Sequence, residues 1–156
     1  MTRSKPGRHG RNARFARLAL AAAALYAKRV IAVNNPDLRR ALPLRVRQEL
    51  RWAWLLEGSA RWFSGQTEHA RPAIARRLRE GGRPSFPPGL RDATLLGGTV
   101  IDLLAREEGE AAAARLAVRL HPQGARSALS EAFHGRNLAD TESAWRSHLG
   151  RLSGSS

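Results

Sequence analysis

The chain has 156 residues, with 27 Lys+Arg against 13 Asp+Glu and a net charge of +14 at pH 7. That length suits one domain with its own core, and a hydrophobic content of 42% is ordinary for a globular chain. The lack of cysteine excludes disulfides, thiolate metal sites and a cysteine nucleophile.

The charge is unevenly spread: residues 1–51 hold 13 basic and 2 acidic residues, whereas residues 52–156 hold 14 and 11. The excess is an N-terminal property. It equips the first third of the chain for non-specific contact with anions or nucleic acid, because arginine grips phosphate with a bidentate fork. No recognition motif for nucleic acid accompanies it.

Residues 1–14 are polar and cationic and read as a disordered tail. Residues 15–33 place Leu18, Leu20, Leu25, Tyr26, Val30 and Ile31 among many alanines, which predicts a first helix. The same stretch has the outline of a signal peptide, with Ala22-x-Ala24 as its cleavage site. The structural helix is the favoured reading and implies a cytoplasmic protein; secretion is the alternative. The apolar run ends at Lys28-Arg29, too short to span a bilayer.

Asn34-Asn35-Pro36-Asp37 stops this helix, and Pro43 suits the first turn of the next, expected over 44–63. Residues 52–56 are apolar on every side, so that helix is expected to be central. After Ser64-Gly65-Gln66, Thr67 or Glu68 opens a further helix that ends near Arg79, with Pro72 close to its start. Residues 81–91 are rich in Gly and Pro and read as a loop, a candidate lid or site edge.

Asp92 is expected to cap a helix that closes at Gly109. Gly97-Gly98 inside it costs about 1 kcal/mol per glycine relative to alanine, so close approach of another backbone is the expected compensation. Helices follow over 110–120 and 125–133, the latter amphipathic through Leu129 and Phe133. Asn137 caps a last helix, with Asp140 in capping-box spacing and Leu138, Trp145, Leu149 and Leu152 along one side. No period-2 strand appears. The fold expected is all-α: a compact bundle of about six or seven helices over 15–152, followed by a flexible tail at 153–156.

Chemistry centres on Trp54-Leu55-Leu56-Glu57-Gly58-Ser59-Ala60-Arg61-Trp62-Phe63. A carboxylate in so apolar a segment calls for a metal or a cationic partner. The pattern Trp54-Leu55-x-Glu57-Gly58-x-Ala60-x-x-Phe63 resembles a segment of the gluzincin-type, peptidase MA-like zinc metallopeptidases. The similarity continues through Leu96-Gly97-Gly98-Thr99-Val100-Ile101-Asp102-Leu103-Leu104, then 128–136 and 138–149, and covers roughly 43–152. The resemblance implies a helical core, a zinc cofactor and peptidase activity, with Glu57 as third zinc ligand.

It also implies His-Glu-x-x-His on an upstream helix, because residues at i and i+4 share a face and two imidazoles there can hold one metal. The helix at 15–33 has no His, Asp, Glu or Cys. Gln48-Glu49-x-x-Trp52 mimics the motif but lies on the helix of Glu57 itself. No two of His9, His69, His121, His134 and His148 share a ligand spacing.

Glu57 is therefore read as a vestigial ligand. Its partner is expected to be Arg61, one turn on, or an arginine of another helix. The expectation is a non-catalytic relative with no catalytic residues and no cofactor, its ancestral zinc lost. It would bind a peptide or protein in the former cleft between 15–33, 44–63 and 81–91, lined by Tyr26, Trp54, Glu57, Arg61 and Phe86. Alternatives are an active zinc hydrolase with a rearranged site and a basic binder of nucleic acid or anionic surfaces. Trp52, Trp54, Trp62, Phe63 and Trp145 read as core, His121 and His134 as helix caps, and Asp102 with Glu107, Glu108 and Glu110 as a solvated acidic helix end.

Overall fold

A computed structural model describes residues 8–35, 38 and 42–154 of the chain. Among these residues there is no strand, and the helices run α1 Arg8–Asn34, α2 Leu42–Arg51, α3 Ala53–Phe63, α4 Gln66–His69 and α5 Arg71–Arg79. They continue as α6 Leu90–Glu108, α7 Glu110–Val118, α8 Ala125–Ala132 and α9 Leu138–Ser153.

The centre is the α3–α6 crossing. Gly58 of α3 lies directly on Gly97 and Gly98 of α6, and Gly97 lies on the Trp54 carbonyl. A Cβ on Gly58 or Gly97 would overlap the opposing backbone. The two adjacent glycines thus have the compensation their helix cost demands. Around this contact Leu55, Leu96, Val100, Ile101 and Leu104 are sealed from solvent. α7 and α9 pack on α6, α5 packs on α9, and α8 bridges α7 and α9. Trp145 of α9 donates from Nε1 to Thr99 Oγ1 at 2.8 Å, and Thr99 donates to the Leu96 carbonyl at 2.6 Å.

Several boundaries differ from expectation for physical reasons. The helix expected over 44–63 is two helices that break at Trp52 (φ −107°, ψ 12°). Residues two apart point to opposite sides of a helix, and the break lets both Trp52 and Trp54 enter the core, each 2% exposed. The segment expected to open at Thr67 or Glu68 is likewise two pieces, with Pro72 in the first turn of α5. α6 is capped by Gly89, not Asp92. Asp92 sits in the first turn and takes a bidentate bridge from Arg77 of α5, at 2.7 and 2.8 Å. Asn137 caps α9 as expected, its Oδ1 accepting from the Asp140 amide at 2.8 Å.

α1 begins at Arg8, so residues 8–14 of the expected tail are helical; residues 1–7 lie outside the described ones. At the other end α9 reaches Ser153 with Gly154 as cap, and residues 155–156 lie outside the description. α1 packs on α3 and α7 through Ala27 and Ile31. Asn35 clamps its end: Nδ2 donates to the Ile31 and Val118 carbonyls, and Oδ1 accepts from the Leu120 amide at 2.7 Å. Further back, Gln66 donates to the Leu20 carbonyl at 3.2 Å. Residues 13–19 are exposed on all sides. No helix among the described residues is long and apolar enough to cross a membrane.

Candidate functional site

α3 carries Glu57 on the side toward α1, and there it meets Lys28. Lys28 Nζ donates to Glu57 Oε1 at 2.5 Å. Among the described residues the partner is thus a lysine of another helix, not the expected arginine. The pair is half-exposed, with the two side chains at 42% and 34%, so Glu57 is less buried than its apolar neighbours in sequence suggest. The inward face of α1 holds Leu20, Ala24, Ala27, Lys28 and Ile31. None of these supplies a metal donor, since a protonated ammonium has no free lone pair. The residues facing Glu57 therefore do not fit the zinc that the resemblance implies. Among the described residues, no three His, Asp or Glu side chains gather in a metal-binding arrangement.

The other residues expected in one cleft are dispersed. Trp54 is in the core, its Nε1 among the buried groups with no hydrogen-bond partner. Tyr26 is 73% exposed on α1. Phe86 packs on Trp145 with ring centroids 5.2 Å apart. Its loop is tied to the bundle: Arg146 donates to the Pro84 carbonyl, Arg83 reaches Glu142, and Ser85 Oγ accepts from the Gly89 amide. These anchors hold the loop as a strap on α9.

A second carboxylate, expected to be solvated, is instead held by three side chains. Asp102 of α6 points to α9, and its Oδ2 lies 2.7 Å from His148 Nε2. Arg106 donates to the same oxygen at 3.0 Å, and Trp62 Nε1 approaches Oδ1 at 3.4 Å. His148 is buried, with Nδ1 facing Arg151 at 3.4 Å. Burial pushes the Asp102 carboxyl up. The hydrogen bonds and charges of His148 and Arg106 outweigh that and hold it at about 2.

Asp102 borders a cleft of about 700 Å³, also lined by Trp62, Phe63, Thr67, Arg106 and Glu110. With both imidazole nitrogens engaged, His148 has no free nitrogen to activate a hydroxyl there. The sequence signal for this cluster was slight: the i,i+4 spacing of Asp102 and Arg106 was visible, but His148 lies 46 residues away.

A second cleft of about 540 Å³ between α7 and α8 is flanked by His121 and His134. Their imidazoles do not cap helix ends; they face Glu131 at 3.2 Å and Glu108 at 2.9 Å. Trp52 and Trp145 are core as expected, whereas Trp62 is only partly buried and Phe63 is 43% exposed. Compared with protein-family models, curated proteins and solved structures, the chain finds no match.

Proposed function

We propose that the chain is a non-catalytic relative of the peptidase MA-like metallopeptidases that acts as a scaffold or binding protein. The observation that carries this reading is the Lys28–Glu57 pair. The carboxylate that would be the third zinc ligand points to the helix that would bear the other two. A lysine there supplies, as a fixed ammonium, the positive charge that a metal would bring. Helix packing around Glu57 is then satisfied without an ion, and the ammonium, already held by the carboxylate, offers no coordination position at which a water could be activated as on a metal.

Elemental analysis and peptidase assays of the purified chain test the proposal. Neither stoichiometric zinc nor hydrolysis of casein is expected; chelator-removable zinc together with hydrolysis overturns it. The ancestry is tested by gain of binding. Ala24→His with Lys28→His sets two imidazoles at i and i+4 on the face toward Glu57. Stoichiometric zinc uptake that a further Glu57→Gln abolishes is expected. A folded double variant that takes up no zinc removes the geometric support for descent from a zinc site.

A further inference from the structure

α1 is apolar on two opposite faces, and only one of them is covered. Ala27 and Ile31 are buried against the bundle. On the far side Phe15, Leu18, Leu25, Tyr26 and Val33 are 68%, 66%, 69%, 73% and 48% exposed. Phe15, Leu18, Ala22 and Leu25 recur at three- and four-residue steps, with Tyr26 beside Leu25, so they form one stripe. An uncovered apolar stripe of this length marks a docking face.

The charges around the stripe select its occupant. The 27-residue α1 contains no Asp or Glu. Lys28 is engaged by Glu57, whereas Arg14, Arg17 and Arg29 are exposed. A second copy of α1 would set arginine against arginine with no carboxylate on either helix to answer. A nucleic acid would engage the arginines but leave Phe15, Leu18 and Leu25 in water. A bilayer with anionic headgroups satisfies both sets, taking the apolar side chains into the acyl boundary and the guanidinium groups at the phosphates.

We propose that the outer face of α1 is a membrane-surface helix that docks the domain on anionic lipid. Phe15, Leu18 and Leu25 enter the interface, and Arg14, Arg17 and Arg29 hold the headgroups. The helix lies on the surface and does not cross it, because its inner face remains packed on α3 and α7. Residues 13–19, each of them exposed, can sink in without disturbing the core. This inference is independent of the Glu57 reading.

Co-sedimentation with phosphatidylcholine vesicles, with and without phosphatidylglycerol, tests it. The full chain is expected to pellet with the phosphatidylglycerol vesicles at low salt, to release as salt rises, and to bind pure phosphatidylcholine at least about tenfold more weakly. Leu18→Ser with Leu25→Ser should weaken binding by more than about tenfold. Both leucines are exposed, so the circular dichroism and unfolding midpoint of this variant should match those of the parent. Arg14→Gln with Arg17→Gln should weaken binding and flatten its salt dependence. No pelleting at low salt overturns the proposal, as does a leucine variant that binds equally well. A concentration-dependent dimer in light scattering that the leucine variant abolishes also overturns it, by giving the stripe to a second copy.

Discussion

Glu57 and Asp102 are both carboxylates on the two core helices that cross at Gly58 and Gly97, yet they are held very differently. Among the described residues Glu57 has one cationic partner, and it remains a third exposed. Asp102 is 14% exposed and is approached by His148, Arg106 and Trp62. An apolar sequence around a carboxylate is thus a poor guide to its burial. What decides the matter is which helix crosses opposite it. Glu57 lies where α1 skirts the bundle, whereas Asp102 lies where α9 closes over α6.

Removing the Asp102 carboxylate should have the largest effect on stability. Asp102→Ala leaves the buried His148 Nε2 and the Trp62 N–H without an acceptor and should cost about 3 kcal/mol in urea unfolding. A loss below about 1 kcal/mol would mean that the cluster is no better held than the Glu57 pair.

Acid should have the next largest effect. Asp102 is depressed from its ordinary 3.8 to about 2, so its contribution is fully present above pH 3.8 and disappears as the pH falls through 2. Across that window the parent should lose about 2 kcal/mol, allowing for partial screening, that Asp102→Asn does not lose. Urea titrations at stepped pH measure the difference.

Lys28→Ala should have the smallest effect, under about 1 kcal/mol and shrinking further with added salt, as for other half-exposed pairs. A salt-insensitive loss of several kcal/mol would place Glu57 in the same class as Asp102 and end the contrast.

What the sequence revealed was what local chemistry enforces. Gly97-Gly98 announced a backbone contact because no other gain offsets two glycines in a helix, and Asn137 announced a helix start because its side chain satisfies an amide three residues on. The burial of Leu55 followed from the run at 52–56 that is apolar on every side, and that of Leu129 from the amphipathic spacing of Leu129 and Phe133. The Asp102–His148 bond was illegible because neither residue has a local reason to seek the other; only the α6–α9 packing brings them together. Lys28 was passed over for the same reason: the nearest cation in sequence to Glu57 is Arg61, but the nearest in space comes from α1. The break at Trp52 was hidden because no Gly, Pro, Asn or Asp marks it, and tertiary burial of the two tryptophans decides it.

The Asn35 clamp also shapes how α1 behaves as a body. Its amide group joins residues 85 positions apart, fixing one end of the helix to the α7–α8 connection while residues 13–19 overhang. α1 is therefore a cantilever. Fraying over the exposed residues 13–19 gives up little buried surface, whereas each turn nearer Asn35 must first give up Gln66, then Lys28, then the clamp itself. The free energy of local opening should climb in steps along a single helix.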